Sequence, residues 1–285
     1  MKLLSLRGGR LGLDLAPQAG GAIARFTADG SIDLLRPMSM EALACGHGSE
    51  SSCYPLVPFS GRIADGRFTF DGAEFVLKPN RPGTRHPIHG DGWLQPWTVT
   101  QSDGQAAELV YQHEGREGWP FRYRARQSYR LDGDALTVGM SIENLEARAV
   151  PAGLGLHPYF VRDGETELSC RTQHAWRTDA EVLPVERMAV PPQWDFSTPR
   201  PVDAVMVDNG FEGWGGRATI AWRRSGLRLD MEGTAPFGDV VIFIPPGRPY
   251  FCVEPVSHVP GAIGSTRLAA EATLAGEIVF RLSTL

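Results

Sequence analysis

The chain has 285 residues, 42% of them hydrophobic, enough to bury a substantial core in one large domain or two small ones. Its 28 basic and 33 acidic residues leave a net charge of −5, which speaks against a nucleic-acid surface or a polybasic membrane patch. Nowhere do about eighteen apolar residues run together, so no membrane-spanning helix is expected.

In chain order, MKLLSLRGGRLGLDL (1–15) lacks a sustained apolar run and a small-residue cleavage site, and reads as a first strand, not a signal peptide. SMEALAC (39–45) fits a short helical turn. RFTFDGAEFVL (67–77) alternates, turns on Asp71-Gly72 and resumes with apolar residues, the strongest local hairpin signal. Asp-Gly recurs at 29–30, 91–92, 103–104, 132–133 and 163–164, and strand-like runs such as AELVYQHE, ALTVGMSIEN and RATIAWRR flank several of these turns. PPQWDFSTPRP (191–201) reads as a long surface loop. RLAAEATLA (267–275) is the second stretch that fits helical turns. Many short strands with 33 Gly and 22 Pro predict an all-β chain, a large antiparallel β-sandwich spanning 1–285 as one domain.

Cys45, Cys53, Cys170 and Cys252 lie far apart with no CxxC pair, and read as reduced structural thiols in a soluble cytoplasmic protein. Only Lys2 and Lys78 are lysines, so 26 of the basic residues are arginine. Codon bias explains this; so would recognition of anions by planar guanidinium groups.

The seven histidines come next, because chemistry near neutral pH most often uses them. His113 and His174 have polar neighbours and read as solvated, and His47 falls in a Gly/Ser loop. His86 and His89 are three apart and would face opposite ways on a strand, so no metal site is expected. In HGDGW (89–93), a glycine after His89 permits close approach by backbone or ligand, and Trp93 offers a flat apolar surface. His157 in GLGLHPYFV (153–161) stands between apolar segments, and Glu254 in YFCVEPVSH (250–258) stands among apolar residues where a carboxylate is rarely idle. Burial there would raise the Glu254 pKa towards the working range of a general base. A buried ion pair with Arg62 or Arg248 would account for Glu254 equally well.

SGRIADGRFTFDGAEFVL, HPIHGDGW, LGLHPYF, VDNGF and CVEPVSH, in that order, resemble the aldose 1-epimerase (galactose mutarotase) family over essentially the whole chain. That resemblance implies a galactose-mutarotase-type sandwich with its site in a cleft on one face, and neither metal nor organic cofactor. It implies Glu254 as base and His157 as acid in opening and reclosing a pyranose ring, with a small sugar as the partner. His89, Arg62 and Asp208 carry over as substrate-binding groups. Phe243, Trp93 and Trp214 are candidates for the aromatic platform. Gly61 and Val161 stand where the family often has Asn. Three readings are open: an epimerase of free aldoses, an epimerase of phosphorylated or sulfonated sugars held by Arg81 and Arg85, and a non-catalytic carbohydrate-binding module. A neutral hexose or pentose is the expected substrate.

Overall fold

The computed structural model describes residues 2–46, 48–116 and 118–285; His47 lies outside them. Alternating sequence becomes two large antiparallel sheets. The first runs Leu4–Gly8, Leu11–Ala16, Ala22–Ala28, Cys53–Leu56, Gly155–Val161, Tyr250–Val256, Asp239–Ile244, Val207–Glu212, His174–Thr178 and Pro184–Ala189, with Ile32–Asp33 paired to Ala22–Ala28. The second runs Phe196–Pro201, Thr166–Cys170, Arg217–Trp222, Leu227–Gly233, Thr273–Thr284, Ala135–Asn144, Arg122–Asp132, Ala106–Glu114 and Thr98–Ser102. Their inner faces share one core. Phe280 of the second sheet meets Phe26 and Phe160 of the first, with ring centroids 6.1 and 6.4 Å apart.

The expected hairpin is present as Arg67–Phe70 and Ala73–Val76. Asp71 and Gly72 take φ of 48° and 77°, the consecutive left-handed pair that a tight two-residue turn requires. Met40–Cys45 is helical, capped by the Ser39 side chain and ended at left-handed Gly46. All four thiols are free.

Two expectations fail. Residues 267–275 hold no helix. Leu268 bridges to Val150, Glu271 takes a φ of 57°, and the alanine-rich sequence runs on into a strand hydrogen-bonded on both sides. Ladder pairing overrides helix propensity there. The 191–201 segment is not a loop throughout, because Phe196–Pro201 pairs as an edge strand with Thr166–Cys170. An edge position tolerates its prolines, since one side needs no N–H donor.

Candidate active site

Period-two alternation decides which residues leave the core. On Tyr250–Val256, Phe251 and Val253 enter the core between the sheets. Cys252 and Val256 pack on the opposite face, in a smaller cluster with Tyr54, Trp93, Tyr159 and Val241. Glu254 shares that outer face by parity. The antiparallel register pairs Gly155 with Val256 and Tyr159 with Cys252, which sets His157 opposite Glu254. One strand further, Phe243 pairs with Asp208.

Across that pairing, His157 Nε2 lies 3.2 Å from Glu254 Oε1. Both are deeply buried, 6% and 2% exposed. Burial pushes the Glu254 carboxyl well above its usual range, and the charge of Asp208 adds to this while Arg62 opposes it. Burial also pushes His157 down to about 3, helped by the Arg36 cation. Both shifts favour the uncharged forms, a protonated carboxyl and a neutral imidazole. His157 Nδ1 and Glu254 Oε2 are buried with no protein partner. No arginine forms an ion pair with Glu254 among the described residues, and Arg248 is exposed outside the site.

His89 is held in the left-handed region at φ 61°, a conformation that non-glycine residues adopt only when their surroundings impose it. The backbone N–H of Gly61 donates to His89 Nδ1 at 3.1 Å, and His89 N–H donates to the Gly61 carbonyl at 3.0 Å. With Nδ1 accepting, the ring proton sits on Nε2. Burial keeps the ring neutral by lowering its pKa well below the usual value, so His89 is a hydrogen-bond donor without charge. Gly61 is required here: its φ is 69°, and a Cβ would come within 2.4 Å of Pro260.

Arg62 pairs through its backbone with Ile88, beside His89. A cavity of about 200 Å³ opens between these groups, smaller than the roughly 300–1,000 Å³ of drug-sized sites. Arg62, His89, Trp93, His157, Asp208, Phe243 and Glu254 all line it. Asp208 is half-buried and its carboxyl is raised by desolvation, partly offset by Arg62. Trp93 turns its indole N–H back to the carbonyls of Gly90 (3.0 Å) and Ile88 (3.3 Å), so it presents an apolar surface.

Several expectations are corrected. Trp214 lies outside the cavity, buried against Gly233 and Phe237 with its Nε1 donating to the Arg217 carbonyl. The chain has turned at Gly213 (φ 66°), which aims the indole inward. Arg85 points away to Glu181 (2.6 Å) and Asp65 (3.3 Å) and does not line the cavity, whereas Arg81 does. His113 is buried and hydrogen-bonded, not solvated. Val161 also lies outside the cavity; its carbonyl accepts from the Trp222 indole.

The histidines that converge are not the two near neighbours in sequence. His86 accepts from the Asp65 N–H at 2.9 Å, but His89, His157 and Glu254 bring one ligand atom each within 4.8 Å of one another, a donor set a divalent ion would fit.

Sequence reasoning missed Tyr54, Tyr159, Arg36 and Trp176, all on the cavity wall. Tyr159 stacks on His157 at 4.6 Å and 14°, and Tyr54 flanks the same ring at 4.7 Å. Both were open to alternation, since Tyr159 is two residues from His157 and Tyr54 lies across from it.

The sequence model described as aldose 1-epimerase matches residues 2–270. The chain is 36% identical over 268 residues to the uncharacterized protein YphB of Escherichia coli K12, covering 91% of this chain and 89% of that one. It is 28% identical over 137 residues to the aldose 1-epimerase of the same organism, 47% of this chain and 38% of that one. The crystal structure of a putative aldose 1-epimerase from E. coli K12 superposes with a TM-score of 0.90 at 33% identity, covering 100% of this chain and 99% of that one. A GalM/aldose epimerase homologue from C. elegans shares the fold at a TM-score of 0.86 and 15% identity, with 100% and 99% covered.

Proposed function

Because the chain belongs to the aldose 1-epimerase family, we propose that it interconverts the α and β anomers of a free aldose by acid–base opening and reclosing of the hemiacetal ring. The observation that carries this reading is the Glu254–His157 pair, buried, 3.2 Å apart, and facing a monosaccharide-sized cavity.

Ring opening removes the proton of the C1 hydroxyl and delivers one to the ring oxygen. The exchange needs one proton shared by the pair, carried by Glu254 in the free protein on this reading. For ring opening that proton moves from Glu254 to His157, leaving a carboxylate to accept the hydroxyl proton and an imidazolium to protonate the ring oxygen. The open aldehyde rotates about C1–C2 and closes on its other face by the reverse transfers. His89 Nε2–H donates to the sugar near the ring oxygen, Arg62 and Asp208 grip ring hydroxyls, and Trp93 and Phe243 offer apolar contact.

Polarimetry or exchange NMR of anomer interconversion across a panel of aldoses tests this. Acceleration of at least one sugar, lost in Glu254→Gln, is expected. Sugar binding with no acceleration would instead make the protein a carbohydrate-binding module.

A further inference from the structure

Arg36, Arg62 and Arg81 all line the cavity, and among the described residues none of them forms an ion pair. Elsewhere in the chain arginines are commonly matched: Arg85, four residues from Arg81, has two carboxylate partners. Glu50, Asp208 and Glu254 also line the cavity, but none of them pairs directly with these arginines, and burial raises the carboxyl pKa values of Asp208 and Glu254. The cavity thus gathers three guanidinium groups that no carboxylate among the described residues binds directly.

The Arg36 cation is held in place, and the backbone that carries Arg81 is anchored. The Arg36 guanidinium lies 3.9 Å over the Tyr159 ring and 4.7 Å from the Tyr250 ring, which fixes its plane. Its hydrogen bonds run from Nη2 to the carbonyls of Ser51 (2.7 Å) and Ser49 (3.3 Å), and its buried Nε has no acceptor. Arg81 follows Asn80, whose side chain clamps Ile88 and Gly90 on either side of His89 with bonds of 2.7 to 2.9 Å. Both cations lower the pKa of His157 by their charge.

We infer that the sugar taken by this cavity carries an anionic group, a carboxylate or a phosphate ester, received by Arg36 and Arg81 while Arg62 serves the ring hydroxyls. Planar guanidinium groups fit such oxyanions with paired N–H donors, and an anion relieves the mutual repulsion of cations sharing one cavity. The inference rests on the mutarotase reading and revises the neutral-sugar expectation drawn from the sequence.

The test compares glucose, glucuronate and glucose 6-phosphate as substrates at low and moderate salt, by exchange NMR. An acidic sugar is expected to exceed glucose in kcat/KM by about tenfold or more, with the margin shrinking as salt rises and collapsing in Arg81→Ala. The faster of the two acids identifies the head group. Glucose exchanged as fast as either acid, or a preference indifferent to salt and to Arg81→Ala, overturns the inference and leaves the mutarotase reading standing. If no sugar is accelerated, the mutarotase reading falls, and chemical-shift titration decides the inference on binding alone. Tighter binding of an acidic sugar than of glucose then upholds it, and equal or absent binding overturns it.

Discussion

Asp91 and His113 form a buried ion pair behind the site, with Oδ2 2.8 Å from Nδ1. The Asp91 carboxylate also accepts from Tyr123 Oη at 2.6 Å and Tyr111 Oη at 2.7 Å, and His113 Nε2 meets the Trp119 carbonyl at 2.7 Å. Asp91 is two residues from both His89 and Trp93, so this network anchors the loop that carries them.

Breaking the pair with Asp91→Asn is expected to cost about 3–5 kcal/mol, the scale for a buried charge left without its partner, read from urea unfolding. The pH dependence carries its own signature. Burial opposes charge on His113, yet the hydrogen bond and charge of Asp91 outweigh it and raise the pKa above 6.5. The stability from this pair is therefore fully present below 6.5 and lost as pH rises through the raised folded value. Asp91→Asn should remove that alkaline decline. A variant within about 1 kcal/mol of the parent, with the decline intact, would show the pair to be idle.

Glu254→Gln and His157→Asn keep much of the shape while removing a proton carrier, and each should slow anomer exchange by about 10² or more with sugar binding retained. The pH–rate profile should show no His157 limb at 6.5, because burial moves the gain of its second proton down to about 3, and the Glu254 limb should lie well above the usual carboxylate range. Near-native turnover in either variant contradicts the assigned roles.

His258 supplies an acid-side test of stability. It accepts from the Ser60 N–H at 3.3 Å and donates from Nδ1 to the Val259 carbonyl at 2.9 Å, as a neutral ring. Burial lowers its pKa from 6.5 to about 4, partly offset by the Val259 hydrogen bond. A depressed folded value means its stabilising effect is present above 6.5 and is lost as pH falls to about 4, on the order of 3 kcal/mol over that window. Unfolding free energies across the window should slope less steeply in His258→Asn, by about one proton. Parallel slopes would refute the assignment.

Prolonged chelation should leave anomer exchange unchanged, because the proposed chemistry is proton transfer between Glu254 and His157. Activity lost to the chelator and restored by one divalent ion would make His89, His157 and Glu254 metal ligands.

Strand periodicity made much of this legible. Glu254 and His157 stood out as titratable groups in apolar runs, and such runs became central strands of one sheet. His113 was legible too, but polar neighbours were weighed above alternation: Gln112 and Glu114 are exposed, so His113 points the other way. Arg36 and Trp176 gave no local signal, since they reach the cavity only when distant segments converge. Trp214 misled because its nearness to Asp208 in sequence ends at the Gly213 turn.

The face-to-face register of His157 and Glu254 also divides what variation can reach. A single-residue slip of Tyr250–Val256 would turn Glu254 into the core and bring Val253 or Pro255 to the cavity, abolishing the proposed chemistry. Arg36 and Arg81 stand outside the regular strands, where exchange of a side chain leaves the ladder hydrogen bonds in place. On the proposed reading, substrate range can therefore drift in descendants of this chain, or be redirected in the laboratory through side chains around Arg36 and Arg81, while the Glu254–His157 pair stays fixed by the sheet.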